Sequence, residues 1–112
     1  MNWSIDNARD CYNLTGWGEG YVDVNRDGHL QVRPGGSAAG GIDLVELADR
    51  LQQEGLGLPV LVRCGGILRD RLDRLCAAFD HARKQHGYQG QYTAVYPIKV
   101  NQQRHLVEEI IE

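Results

Sequence analysis

Only two of the 112 residues are lysines, and one of them, Lys99, stands inside the apolar run YTAVYPIKV (Tyr92 to Val100). Such a run reads as a covered strand. An ammonium buried there without a partner has its neutral form favoured by up to about 3–5 pKa units. A neutral amine is a nucleophile, and its usual task is a Schiff base with a carbonyl compound or with pyridoxal phosphate. Lys99 also lies near the C-terminal end of the run, beside the polar stretch Asn101-Gln102-Gln103-Arg104. In parallel α/β sheets and barrels the active site is built at that end of the strands. The competing assignment is a lysine whose amine simply emerges at the strand end into solvent, and position alone does not separate the two. Pro97 adds nothing, because it suits an edge or a bulge equally well.

The remaining chemistry-bearing residues point to bland roles. Cys11, Cys64 and Cys76 are odd in number and have neither CxxC nor Cys/His ligand spacing, which predicts reduced thiols, a cytoplasmic location and no metal site. Cys76 falls on an apolar helical stripe and reads as core. His81 and His86 fall on the polar, C-terminal part of the same helix, where solvated histidines favoured by the helix dipole are expected. GGSAAGG (Gly35 to Gly41) lacks the G-K-[ST] ending of a phosphate loop and reads as a flexible connector.

Composition narrows the function classes further. The apolar fraction is 42%, the charged fraction 24% and the net charge -3, with no basic block and no acidic tail. Charge therefore indicates no nucleic acid and no membrane surface as partner. No run of about 18 apolar residues exists to span a bilayer. MNWSIDNARD lacks both the basic start and the apolar core of a secretory signal.

These residues must be positioned by a definite set of elements. Tyr21–Val24 and His29–Val32 alternate apolar with polar around Asn25-Arg26-Asp27-Gly28, a β-hairpin pattern in which Asp27-Gly28 supplies the positive φ. Asp43, Glu46 and the Ile42/Leu47 pair predict a capped helix striped by Leu44, Leu47, Ala48 and Leu51 and ended by Gly55. LPVLVR (Leu58 to Arg63) is a continuous apolar run that fits a strand covered on both faces. A helix over Leu68–His86 follows, with Leu68, Leu72, Leu75, Cys76 and Phe79 as its stripe and Gly87 as its stop. The second run, Tyr92–Val100, and the start of another helix complete a βαβα order. The two runs are thus expected as adjacent parallel strands with a right-handed crossover, and the hairpin as part of a separate sheet. The pattern stops at Glu112 without a cap, which predicts the N-terminal fragment of a larger α/β protein, marginally stable alone.

GWGEGYVDVNRDGHLQVRP, LPVLVR followed by ILRDRLDRL, and GYQGQYTAVYPIKVNQQRHLVEEI together resemble the N-terminal part of the biosynthetic arginine decarboxylase family. The likeness spans nearly the whole chain, and YPIKVNQ is its specific core. It implies an α/β fold, the start of a (β/α)8 TIM-type barrel of the alanine-racemase-like kind, preceded by a β-hairpin of a separate β domain. Residues 1–36 would be the hairpin segment and linker, and residues 37–112 the first βα units of an incomplete barrel. The resemblance implies pyridoxal 5'-phosphate held by Lys99 as both catalytic and cofactor-binding residue, with magnesium as a further cofactor. It implies L-arginine as substrate, agmatine for polyamine synthesis and carbon dioxide as products, and a homo-oligomer at full length. Another amino-acid decarboxylase or racemase of the same superfamily, or a non-catalytic pyridoxal-phosphate-binding homologue, stays open beside it. One departure stands out: Cys64-Gly65-Gly66 replaces the family's aromatic and acidic residues, making the loop after the first barrel strand atypical. The ring-nitrogen acid, phosphate site and guanidinium-binding acids are expected outside these residues, so the fragment alone is expected to be inactive.

Overall fold

In the computed structural model, residues 2–36 and 40–112 are described; the centre of the expected connector, like the 36/37 boundary, lies at or outside their limits. Helix α1 (Ile5–Cys11) opens on Ser4. The Ser4 hydroxyl accepts from the Asn7 N–H at 3.1 Å while the Asn7 side chain accepts from the Ser4 N–H at 3.0 Å, a reciprocal cap that satisfies two otherwise orphaned donors. A five-residue helix, α2 (Leu14–Gly18), follows. Both helices are too short to display an apolar stripe, so periodicity gave no sign of them.

The hairpin forms as its residues predict. Strands β1 (Val22–Val24) and β2 (Leu30–Val32) pair antiparallel with Val22 opposite Val32 and Val24 opposite Leu30. Gly28 takes φ +82° and donates to the Asn25 carbonyl at 3.1 Å, while the Asn25 N–H reaches the His29 carbonyl at 2.9 Å. A two-residue strand, β3 (Ile42–Asp43), adds antiparallel to the other side of β2. Leu14 from α2, Tyr21, Val24 and Val32 are the buried apolar side chains. Their burial supplies the hydrophobic stabilisation of this part of the chain.

Helix α3 (Leu44–Gln53) starts where Asp43 caps it, the carboxylate accepting from the Val45 and Glu46 N–H groups at 2.8 and 3.2 Å. The predicted stripe of Leu44, Leu47, Ala48 and Leu51 is half-buried. The helix ends in a paired closure: Leu56 N–H to the Leu51 carbonyl at 2.9 Å and Gly55 N–H to Gln52 at 3.0 Å. Gly55 needs φ +85° for this, a region costly for any residue with a Cβ. Gly55→Ala is therefore expected to destabilise by about 1 kcal/mol. Gly57→Ala, at a glycine with open space around it and no left-handed φ, is the neutral control in a urea titration.

α1 is tied to the sheet by charge. Arg9 grips Asp23 bidentately, Nε to Oδ1 at 2.7 Å and Nη2 to Oδ2 at 3.1 Å, and Arg33 approaches the same carboxylate at 3.4 Å. The Arg9 hydrogen bonds hold the Asp23 carboxyl below the usual range, against partial desolvation. A lowered folded value contributes stability above the unfolded value of about 3.9, and that contribution is lost as pH falls through the folded value. The urea midpoint is expected to drop as pH is lowered below about 4, and Asp23→Asn is expected to flatten that drop. An unchanged pH slope in the variant would contradict the assignment.

The chain forms two compact units, Met1–Cys64 and Gly65–Glu112. In the second, α4 (Gly65–Gln85) starts three residues before the expected Leu68, so Gly65 and Gly66 form its first turn instead of a loop. It closes through Tyr88 N–H to the Arg83 carbonyl at 2.9 Å and Gly87 N–H to Lys84 at 3.3 Å. α5 (Arg104–Ile111) is joined to α4 by Arg69, whose Nη2 lies 3.0 Å from Glu109 Oε1. The Phe79 and Tyr92 rings stack with centroids 4.2 Å apart and planes 6° from parallel.

Three expectations fail. Leu58–Arg63 and Tyr92–Val100 are not strands: neither belongs to a ladder, and the only sheet among the described residues is β1-β2-β3. Apolar β-branched runs favour extended backbone, but a ladder also needs a partner. One parallel pair would leave both outer edges bare, with a pairing weaker per residue than antiparallel. Cys76 is exposed, not core, as are its stripe neighbours Leu75 and Phe79. The third is the burial of Lys99, which lies exposed. His81 and His86 are exposed as expected. Among the described residues no helix is long and apolar enough to cross a membrane.

Candidate functional site

Lys99 occupies the middle of a single 3-10 turn, Ile98–Val100, set up by Pro97. The turn is closed by the Val100 N–H donating to the Pro97 carbonyl at 3.0 Å. Proline fixes its own φ and leaves its carbonyl available, which suits the entry to such a turn. A second closure surrounds the first: the Tyr96 hydroxyl donates to the Asn101 carbonyl at 3.3 Å. The Asn101 side chain then accepts from the Gln103 N–H at 3.2 Å and leads the chain into α5. Lys99 is therefore presented at the tip of a loop pinned at both ends.

The expected burial is not present. Lys99 is exposed, because the residues that would have to cover it, Val95, Ile98 and Val100, are themselves 86%, 52% and 76% exposed. Burial is a property of neighbours: Phe79 stacks on Tyr92 at the start of the run, but the residues flanking Lys99 stay exposed. The solvent-facing alternative is the one found.

The two lysines nevertheless differ in a way that matters chemically. Lys84 Nζ pairs with Asp80 Oδ2 at 2.8 Å, and that hydrogen bond, ahead of the field of Lys84, holds the Asp80 carboxyl below the usual range. The Lys99 amine engages no carboxylate among the described residues. An amine of this kind is accessible to an aldehyde, while one held by a carboxylate must first leave that contact. Sequence reasoning singled out Lys99 and passed over Tyr96 and Asn101, although both lie within five residues of it. The polar tip on an otherwise apolar tyrosine was the available signal.

No family model matches the chain. It is 50% identical over 109 residues, 97% of its length, to the biosynthetic arginine decarboxylase of Parasynechococcus marenigrum, 17% of which is covered. The chain is similar to one stretch of biosynthetic arginine decarboxylase. The corresponding enzyme of Gloeobacter violaceus is 46% identical over 112 residues, 100% of the chain and 17% of the relative. Biosynthetic arginine decarboxylase 1 of Synechocystis is 45% identical over 109 residues, 97% of the chain and 16% of the relative. The chain thus spans about a sixth of the length of these curated arginine decarboxylases. The resemblance carried by YPIKVNQ and its flanks is upheld at this level of identity.

Proposed function

We propose that these residues belong to a pyridoxal-phosphate-dependent arginine decarboxylase that converts L-arginine to agmatine and carbon dioxide. The observation that carries this is the extended identity to arginine decarboxylases across nearly the whole chain. Arginine is favoured over other amino acids, and an enzyme over a silent homologue, because the relatives carry that activity in their names. The barrel belongs to the same proposal: Leu58–Arg63 and Tyr92–Val100, unpaired here, would become its first two strands once further strands cover them.

The group present fits an aldehyde cofactor. Lys99 offers an accessible amine at the tip of a pinned loop, and the Tyr96–Asn101 closure spans the backbone that carries it. When bound, pyridoxal phosphate would supply an electron sink for the carbanion left by carbon dioxide. Lys99 Nζ would hold the cofactor, leave it to the substrate amine, and then stand close enough to carry a proton at the reacting carbon. Its departure and return are motions of one flexible stem, with the backbone held by the turn. The phosphate and guanidinium would be bound by residues outside these 112. Exposed or half-exposed thiols at Cys11, Cys64 and Cys76, all free, agree with a reducing cytoplasm, and the full-length enzyme is proposed to be a homo-oligomer. The test is release of labelled carbon dioxide from carboxyl-labelled arginine by the full-length protein supplied with pyridoxal phosphate. Equal turnover of ornithine or lysine, or none of any amino acid, would overturn the assignment.

A further inference from the structure

Three segments of the first unit converge on one carboxylate. Asp43 Oδ2 accepts from His29 Nδ1 at 2.8 Å and from Asn25 Nδ2 at 2.6 Å, while Oδ1 accepts from the Val45 and Glu46 N–H groups. Asp43 is both the end of β3 and the cap of α3, and its side chain is 12% exposed. Asn25 and His29 close the turn between β1 and β2, and the Asn25 side-chain oxygen accepts from the Asp27 and His29 N–H groups. All four bonding positions of the carboxylate are thus used. Of its four donors, only His29 changes charge near neutral pH.

We propose that His29 and Asp43 form a proton-operated clasp that holds the start of α3 to the tip of the β1–β2 hairpin. With the imidazole charged, the clasp is an ion pair. Neutral imidazole with its proton on Nδ1 keeps a weaker hydrogen bond. The other tautomer sets a ring lone pair against a carboxylate oxygen and opens the contact. The Val45 and Glu46 bonds stay in place, so α3 keeps its cap while its tie to the hairpin slackens.

The groups facing His29 all act in one direction. Asp43 stands across the contact, Asp27 lies in the hairpin turn and Glu46 in the first turn of α3, and each is acidic. The Asp43 hydrogen bond first, opposed by desolvation and aided by these three charges, raises the imidazole pKa above its ordinary value. On the Asp43 side, desolvation opposes ionisation, but the His29, Glu46, Asn25 and Val45 bonds outweigh it and hold the carboxyl low. A raised folded value means that the clasp contributes fully below the unfolded value of about 6.5 and is lost as pH rises through the folded value.

The test is an NMR titration of the histidine ring carbons in the 112-residue chain, with amide exchange at β2 and β3 followed in parallel. The His29 midpoint is expected above about 6.5 and is expected to return toward it in Asp43→Asn, which keeps the shape and an accepting oxygen. After correction for intrinsic exchange, protection of the Val32 and Ile42 region is expected to fall across the titration. The fall is up to about tenfold for each pH unit by which the His29 midpoint exceeds the ordinary value. His29→Gln, which keeps a neutral donor, is expected to show no such fall. A wild-type midpoint at or below the ordinary value, an unchanged midpoint in Asp43→Asn, or protection that ignores the titration would each overturn the clasp. The wild-type midpoint decides the matter even if a variant fails to fold.

Discussion

Lys99→Ala in the full-length protein is expected to lower arginine decarboxylation by on the order of 10³-fold or more, while leaving the fold intact. The side chain is exposed at the tip of the Ile98–Val100 turn, so its removal uncovers no buried surface and breaks no ion pair among the described residues. In the role proposed for Lys99 the loss would be chemical: both a covalent anchor and an amine that moves a proton would disappear, and proton transfer alone is commonly worth about 10²- to 10⁴-fold. Lys84→Ala is the matched control. It removes an exposed i,i+4 pair with Asp80, of the kind that contributes little to stability, and leaves turnover unchanged. Equal losses in the two variants would point to general destabilisation. Rescue of Lys99→Ala by a small exogenous amine would separate the missing nitrogen from any change in packing.

Leu14→Ala is expected to produce the largest loss of stability, about 2–3 kcal/mol. Leu14 is 4% exposed, the lowest figure among the four buried apolar side chains of the first unit. So small a core has few other contacts over which to spread a cavity, and a domain of this size holds little stability in reserve. Trp17 sits on the same short helix and reports the loss by fluorescence in a urea titration. Leu61→Ala, at a side chain 77% exposed, is expected to stay within about 0.5 kcal/mol of wild type. A Leu14 variant as stable as the Leu61 variant would show that the buried cluster does not hold the unit together.

What could be read from the chain divides along one physical line. Features whose cause is local were legible: the positive φ of Gly28 in the hairpin turn, the Asp43 cap, the half-buried stripe of α3 and the glycine stops at Gly55 and Gly87. Features that need a distant partner were not. The Arg9–Asp23 and His29–Asp43 contacts join residues 14 positions apart, and no spacing rule marks such pairs. The apolar runs at Leu58–Arg63 and Tyr92–Val100 were read as strands because propensity favours extended backbone, yet strand formation depends on neighbours they do not have here. The same omission misplaced Lys99, whose burial was inferred from flanking apolar residues that are themselves exposed. The proposal for Lys99 rests on the residues of YPIKVNQ and not on their burial.

The most direct measurement is borohydride reduction of the full-length protein in the presence of pyridoxal phosphate, followed by peptide mapping of the modified lysine. Stoichiometric label on the Lys99 peptide, with none on Lys84, is the result that the proposed role of Lys99 requires. Label on Lys84, label spread over surface lysines, or no retained label would contradict it.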